Sequence, residues 1–299
     1  MEIVSKLKEK GYLQGLEFTI FIVGSRKMRI EDDFGSGKWQ ILAPNLKIYG
    51  FDADEDACLI ANENLKQRNI NWWEKHFPLA LSESPTEKTL YVTKGIDCTS
   101  LYEPNHEYLQ RFAGFGEHFE LDFSVEIETT TLDIFCQQEN ITEIDFLSID
   151  VQGAELDVVK GALHLLSKTI LALELEVEFT KMYKNQPLFS DIDIFLQPYD
   201  FSLFDLIMEH PMCRRPRSVS EIYSKEKTGQ LLWADALYLR DIFLSPSSIF
   251  KTQPQQLLKL ACISDILGYP DYAVEILLFL TKQHGNNPAY NFSELTKFY

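Results

Sequence analysis

Two aspartates in this chain each close a short apolar run and stand just before a segment of helical spacing. Asp150 follows Phe146, Leu147 and Ile149, the apolar positions of a buried strand. Gln152 and Gly153 then fit a tight turn, since glycine permits close backbone approach and unusual dihedrals. Beyond the turn, Leu156, Val159, Leu163 and Leu166 recur at helical spacing, with Val158, Ala162 and Leu165 widening the stripe. Glu155 and Asp157 fall in the first turn of that helix, where its dipole favours acids. Asp52 ends a second strand, Lys47–Asp52, and the helix Asp54–Gln67 follows, with Ala57, Ile60, Ala61 and Leu65 as its inner face. A carboxylate at the C-terminal tip of an α/β strand is where open parallel sheets bind ligands, and one at the second tip commonly accepts both hydroxyls of a ribose. Helix capping is the competing reading for Asp52 and the expected one for Asp54. A third set of acids, Glu174, Glu176 and Glu178, shares one parity of the strand Thr169–Phe179. Acids on one face of a covered strand need water, a cation or a partner, because a lone buried carboxylate is costly; for Glu178 an exposed polar face is equally open.

The elements that must position these acids follow from the same patterns. Glu17–Gly24 is expected as a fully buried first strand ending at glycine, so Gly24 and Ser25 begin the first turn. His76–Leu81 is the third strand. Ser82–Lys88 is a polar turn and Thr89–Thr93 the strand returning from it. Phe119–Thr131 alternates Phe123, Val125 and Ile127 with Ser124, Glu126 and Glu128, as a half-exposed strand does. Thr131–Asn140 and Pro187–Pro198 are helices, and Phe201–Met208 and Leu231–Leu239 an antiparallel closing pair. The composition changes at Ser245-Pro246-Ser247-Ser248, so the chain divides into a main domain, 1–244, and a helical appendage, 245–299. Pro254–Leu267 and Pro270–Gln283, joined at Gly268, resemble one tetratricopeptide-like hairpin. A single hairpin cannot form a solenoid; it is expected to pack on the main domain or at a contact between copies.

Composition narrows the function. The 299 residues are 45% apolar and carry a formal charge of -17, which argues against general nucleic-acid binding and against docking on anionic lipid. No run approaches a membrane span, and Met1–Tyr12 reads as a short amphipathic helix without a signal-peptide core. Cys58, Cys98, Cys136, Cys213 and Cys262 are scattered, as reduced cysteines of a cytoplasmic protein are. No His or Cys spacing makes a metal site, so no metal is expected; a paired role for Asp150 and Glu176 is left open. His210, in Glu209-His210-Pro211 past a strand end, is a candidate base beside Glu176. Arg214, in the basic island Cys213–Arg217, suits steering of an anionic group on a substrate, with a solvated loop as the alternative.

The run Asp145-Phe146-Leu147-Ser148-Ile149-Asp150-Val151-Gln152-Gly153-Ala154-Glu155, followed by Lys160-Gly161-Ala162, resembles the signature of the FkbM-type methyltransferase family, which uses S-adenosylmethionine. Gly50-Phe51-Asp52-Ala53-Asp54, Pro78–Ser82, Gly95–Asn105 and Leu173–Phe179 are similar to further motifs of that family, and the likeness covers roughly Glu17–Arg240. The resemblance implies a Rossmann-like class I methyltransferase sheet, mostly parallel with the last strand antiparallel. It implies cofactor contacts at Gly24, Ser25, Asp52, Ala80, Leu81 and Asp150. It implies substrate contacts at Ser100 and Glu174, with Asp150 and Glu176 at the chemistry. The expected reaction is O-methylation of a hydroxyl on a sugar, glycan or small natural product. One departure stands out: Ile22-Val23-Gly24-Ser25-Arg26-Lys27-Met28 lacks the acid and second glycine that such families carry in the first turn. A catalytically inactive binding or scaffold protein is therefore the alternative. A nicotinamide-dependent oxidoreductase needs Gly-x-Gly-x-x-Gly after the first strand, and only Gly24 stands there.

Overall fold

Phe18–Val23 (β1) is buried along its whole length. A strand buried on both faces belongs inside a sheet that is covered on each side. The computed structural model of the chain describes residues 1–27, 34–208, 213–217 and 229–295. After β1 the strands are Leu46–Asp52 (β2), Trp73–Pro78 (β3), Ala80–Leu81 (β4), Glu87–Thr93 (β5), Leu121–Thr130 (β6), Phe146–Ile149 (β7), Ala172–Glu178 (β8), Phe201–Ile207 (β9), Cys213–Arg214 (β10), Gln230–Leu231 (β11) and Trp233–Arg240 (β12). The helices are Glu2–Glu9 (α1), Glu55–Gln67 (α2), His106–Leu109 (α3), Phe115–His118 (α4), Leu132–Glu139 (α5), Glu155–Lys160 (α6), Leu163–Lys168 (α7), Phe189–Leu196 (α8), Pro254–Ile266 (α9) and Pro270–His284 (α10).

The main sheet runs β3-β2-β1-β7-β8-β12-β9. Its pairs are parallel except those of β12, which lies antiparallel to both β8 and β9. This is the mostly parallel sheet with an antiparallel last strand that the family resemblance implied. From β1 the chain builds outward to β3 and then returns to place β7 on the other side, so the strand order reverses between β1 and β7. Ligands bind at the carboxyl ends of the strands beside such a reversal. A smaller sheet, β4-β6-β5, stands over those ends as a flap.

Alternate residues of β1 feed two cores. Phe18, Ile20 and Ile22 join α1, α9 and α10 on one face, and Phe21 and Val23 join α5, α6, α7 and α8 on the other. Between β1 and β2 the described residues form only short 3-10 turns, and the C-terminal hairpin fills that side. Lys259 of α9 is buried and donates to both carboxylate oxygens of Asp145 (3.0 and 3.1 Å) and to Glu143 (3.1 Å). Asp145 also accepts the Thr19 N–H at 2.8 Å, which ties the hairpin to β1 and β7.

Local structure corrects several expectations. The third strand stops at Pro78, which has no N–H for the ladder, and Ala80–Leu81 passes to the flap. The helix after the Asp150 turn breaks at Gly161, where a Cβ would lie 2.1 Å from the Ser82 carbonyl oxygen. Asp133 caps the second half by accepting the His164 and Leu165 N–H groups (2.9 and 3.2 Å), and Leu163 is left exposed. On α2 the inner face is Cys58, Ala61 and Leu65, and Ile60 is 60% exposed. Glu178 is buried.

Candidate active site

Three strand tips meet at the reversal. The Asp150 N–H donates to the Val23 carbonyl (2.9 Å), lacing β7 to β1. The Gly24 and Ser25 N–H groups both donate to the Phe51 carbonyl (2.9 Å each), lacing the first turn to β2. Gly24 has φ +81°, and a Cβ there would lie 1.8 Å from the Asp150 carbonyl oxygen. Only glycine fits that approach. The tips open on a cleft of about 600 Å³ whose lining includes Gly24, Asp52, Ala80, Leu81, Ser100 and Asp150.

The opposite wall is the flap. Leu90 stands across from Val125 and Val92 across from Phe123, so the four share one face, which lines the cleft. Phe123 is 53% exposed. The alternation at Phe123, Val125 and Ile127 was legible in the sequence; that this apolar face covers a ligand cleft was not. Lys88 and Tyr102 both reach Asp157 of α6 (3.0 and 3.2 Å), which holds the flap over the strand tips.

At the β2 tip, Asp52 accepts the Asp54 N–H (2.9 Å) and lies 3.9 Å from the Arg26 guanidinium. Burial pushes its carboxyl above the usual carboxylate range, against the opposing pull of the Asp54 N–H and Arg26. Asp54 caps α2, as expected, by accepting the Asp56 and Ala57 N–H groups (2.9 and 3.2 Å), and it pairs with Arg26. Ser25 is not in the cleft lining. Its buried hydroxyl bonds His76 Nδ1 (2.8 Å), and His76 Nε2 bonds Glu74 (3.1 Å). Burial alone would raise Glu74, but His76, Lys27 and Trp72 outweigh it and hold the carboxyl at about 2. Ser25 thus supports the first turn from behind.

At the β7 tip, Gln152 adopts φ +57° and Gly153 φ +96°. The Gln152 amide nitrogen donates to Asp150 Oδ1 (2.8 Å) and Glu176 Oε2 (2.6 Å). Its amide oxygen accepts from the Tyr183 hydroxyl (2.9 Å), and its backbone carbonyl accepts from Ser100 Oγ (2.7 Å). Glu155, fully buried, accepts the Val151 and Gly153 N–H groups (2.9 and 3.1 Å), so it closes the turn from inside. The sequence reads Glu155 only as a first-turn acid, and nothing there signals Gln152 as the clamp between Asp150 and Glu176. Burial first, and then the neighbouring carboxylates, push Glu155, Glu176 and Glu178 upward.

The other anticipated residues lie elsewhere. Glu174 is 3.7 Å from Lys38 and does not line the cleft. The Arg214 guanidinium sits over the Phe115 and Trp233 rings (4.4 and 5.8 Å), and burial lowers its pKa. His210 lies outside the described residues.

Residues 38–203 match the methyltransferase FkbM domain. The 2-O-methyltransferase NoeI of Sinorhizobium fredii is 24% identical over 173 residues, 57% of this chain and 67% of that protein. Among solved structures, the methyltransferase FkbM from Methylobacillus flagellatus is similar with a TM-score of 0.39 and 12% identity, across 75% of this chain and 43% of its own. The chain therefore spans less than half the length of that protein. TrmK of M. capricolum, solved with S-adenosyl-homocysteine, aligns with a TM-score of 0.31 and 10% identity, across 98% of this chain and 92% of its own.

Proposed function

Because the chain belongs to the FkbM family of S-adenosylmethionine-dependent methyltransferases, we propose that it methylates a hydroxyl oxygen on a small acceptor with both polar and apolar surface, such as a glycan or natural product. The observation that carries this reading is the meeting of Gly24, Asp52 and Asp150 in one cleft beneath an apolar flap. The residues fit the cofactor. Asp52 suits the ribose hydroxyls, Phe51, Leu79 and Leu81 offer an apolar seat for the adenine, and the absent Cβ of Gly24 leaves the backbone open beside Asp150. S-adenosylmethionine supplies a methyl group on positively charged sulfur. The protein's part is alignment and proton removal. Asp150, which lines the cleft, would hold the acceptor hydroxyl and take up its proton as oxygen attacks the methyl carbon and the carbon–sulfur bond breaks. Glu176, outside the cleft lining, would orient Asp150 through the Gln152 amide. Leu90, Val92, Phe123 and Val125 hold the apolar side of the acceptor. The scattered buried cysteines, unpaired in the described residues, support a cytoplasmic location.

Calorimetric titration with S-adenosylhomocysteine, followed by transfer of labelled methyl to a panel of glycans and apolar alcohols, tests the reading. Micromolar binding and label in a hydroxyl acceptor are expected. No heat and no thermal stabilisation at millimolar ligand refutes it. One observation favours a second reading, a fold that binds without catalysing: the first turn lacks its acid, and its Gly24 and Ser25 N–H groups are already given to Phe51. Binding without label transfer to any acceptor class selects that reading.

A further inference from the structure

Three carboxylates converge at the β7 tip. One oxygen from each of Asp150, Glu155 and Glu176 lies within 4.8 Å of the others. Glu178, the next residue of the same parity on β8, adds a fourth acid whose charge is felt by the cluster. An acid cluster alone signals nothing, since carboxylates at a surface are solvated. This one runs inward from the exposed Asp150 through the half-buried Glu176. Glu155 is fully buried and Glu178 is 1% exposed. Among the described residues, neither oxygen of Glu178 accepts a hydrogen bond, and Oε2 of Glu155 has none. The Gln186 amide is near enough to favour the Glu178 carboxylate but completes no bond with it. Among the described residues no Lys, Arg or His forms an ion pair with Glu155, Glu176 or Glu178. Buried carboxylates in that state must take up protons or a cation.

The geometry points to a divalent-cation site formed by Asp150, Glu155 and Glu176, with Glu178 as the buried charge behind it. The donors are all oxygen, which selects a hard ion: Mg²⁺, Mn²⁺ or Ca²⁺. The Gln152 amide nitrogen bridges Asp150 and Glu176. Turning that amide end for end removes the donor and presents Oε1 as a neutral ligand. Asp150 is exposed and lines the cleft, which gives the ion its route in. A cation here would draw an acceptor oxygen to Asp150 and make its proton easier to remove; this role rests on the methyl-transfer reading, whereas the binding site does not.

The test is Mn²⁺ titration of the full-length, chelator-treated protein near neutral pH, with free Mn²⁺ read by electron paramagnetic resonance. One saturable site per chain is expected, displaced by Mg²⁺ or Ca²⁺. Glu176→Gln should weaken it by about tenfold or more. Asp150→Asn changes an exposed side chain and leaves the core intact, and the same loss is expected there. Binding that is absent, or equal in the wild type and both variants, overturns the site, and the buried acids are then neutralised by protons. S-adenosylhomocysteine is titrated into the same metal-free protein. Cofactor binding without Mn²⁺ binding removes the cation site and keeps the methyltransferase reading. Mn²⁺ binding without cofactor binding does the reverse.

Discussion

Removing the Asp52 carboxylate should cost the cofactor more than removing any other side chain at the cleft. A hydrogen bond to a charged group contributes about 1.5–3 kcal/mol, and a ribose offers Asp52 two hydroxyls. Part of that gain is offset. Burial already disfavours the Asp52 carboxylate, and water will fill part of the space. A net loss of about 3 kcal/mol is expected for Asp52→Ala, a weakening of S-adenosylhomocysteine binding on the order of a hundredfold. The pH dependence sharpens the test. The ribose needs the ionised carboxylate, and the Asp52 pKa is raised. Affinity should therefore fall on acidification sooner than an ordinary aspartate near about 3.9 would allow. Asp52→Asn should bind weakly with no such dependence. Stability runs the other way at this residue. A raised carboxyl pKa in the folded state contributes stability below the unfolded value, which is lost as pH rises through the folded one. Acid thus helps the fold here while it weakens the ligand, and thermal unfolding separates the two. Calorimetry that finds Asp52→Ala within about threefold of wild type would refute the ribose assignment.

Gly24→Ala should abolish cofactor binding and lower the unfolding midpoint, because the added Cβ would meet the Asp150 carbonyl oxygen at 1.8 Å; unchanged binding by calorimetry would mean the β1 and β7 tips are not locked together. Phe123→Ser removes an exposed side chain of the flap, so the acceptor KM should rise while S-adenosylhomocysteine affinity holds, and equal losses in both would deny the flap its acceptor role. Lys259→Met strands the buried Asp145 and should cost about 3–5 kcal/mol in denaturant unfolding, most of it recovered when Asp145→Asn is added. The Asp145 carboxyl is pushed up to about 6, chiefly by burial and against Lys259 and the Thr19 N–H. Its contribution to stability is therefore full below about pH 4 and lost as pH rises through about 6, a swing of about 3 kcal/mol, which Asp145→Asn should flatten in a midpoint-against-pH series.

The sheet and the cleft acids were legible because their signals are local. An acid at the end of an apolar run, followed by helical spacing, places Asp52 and Asp150 at strand tips whatever surrounds them. What was not legible depends on which surface covers which. Parity shows that Phe123 and Val125 share a face, yet nothing in the strand tells whether a core or a ligand meets it. The same limit applies to α2, where Cys58 and Ile60 compete for the inner position and Asn62 decides by bonding the His76 backbone in β3 (2.8 and 2.9 Å). Glu155 looks like a dipole-matched surface acid and is instead the buried acceptor of two turn N–H groups. Arg214 reads as a free cation in a basic island, but two aromatic rings claim it.

The C-terminal hairpin raises the question of where this domain ends, and its packing makes a testable answer. Gln256–Ile266 of α9 is buried throughout, and Leu257, Leu260, Ile263, Ile276 and Leu280 share one core with Ile20, Ile48, Phe146 and Leu239 of the sheet. Removing 245–299 would bare the apolar sheet face that carries Ile20, Ile48, Phe146 and Leu239, and large contiguous apolar patches are rare on soluble proteins. The shortened chain should aggregate or bind a hydrophobic dye. A point change avoids that ambiguity. Leu260 is fully buried, and Leu260→Ala should cost about 2–5 kcal/mol. If the hairpin and sheet are one cooperative unit, that loss appears as a single shifted transition, and S-adenosylhomocysteine raises the midpoint of the variant as it does the wild type. Two transitions, with only the ligand-insensitive one shifted, would show instead that the sheet folds without its C-terminal cover.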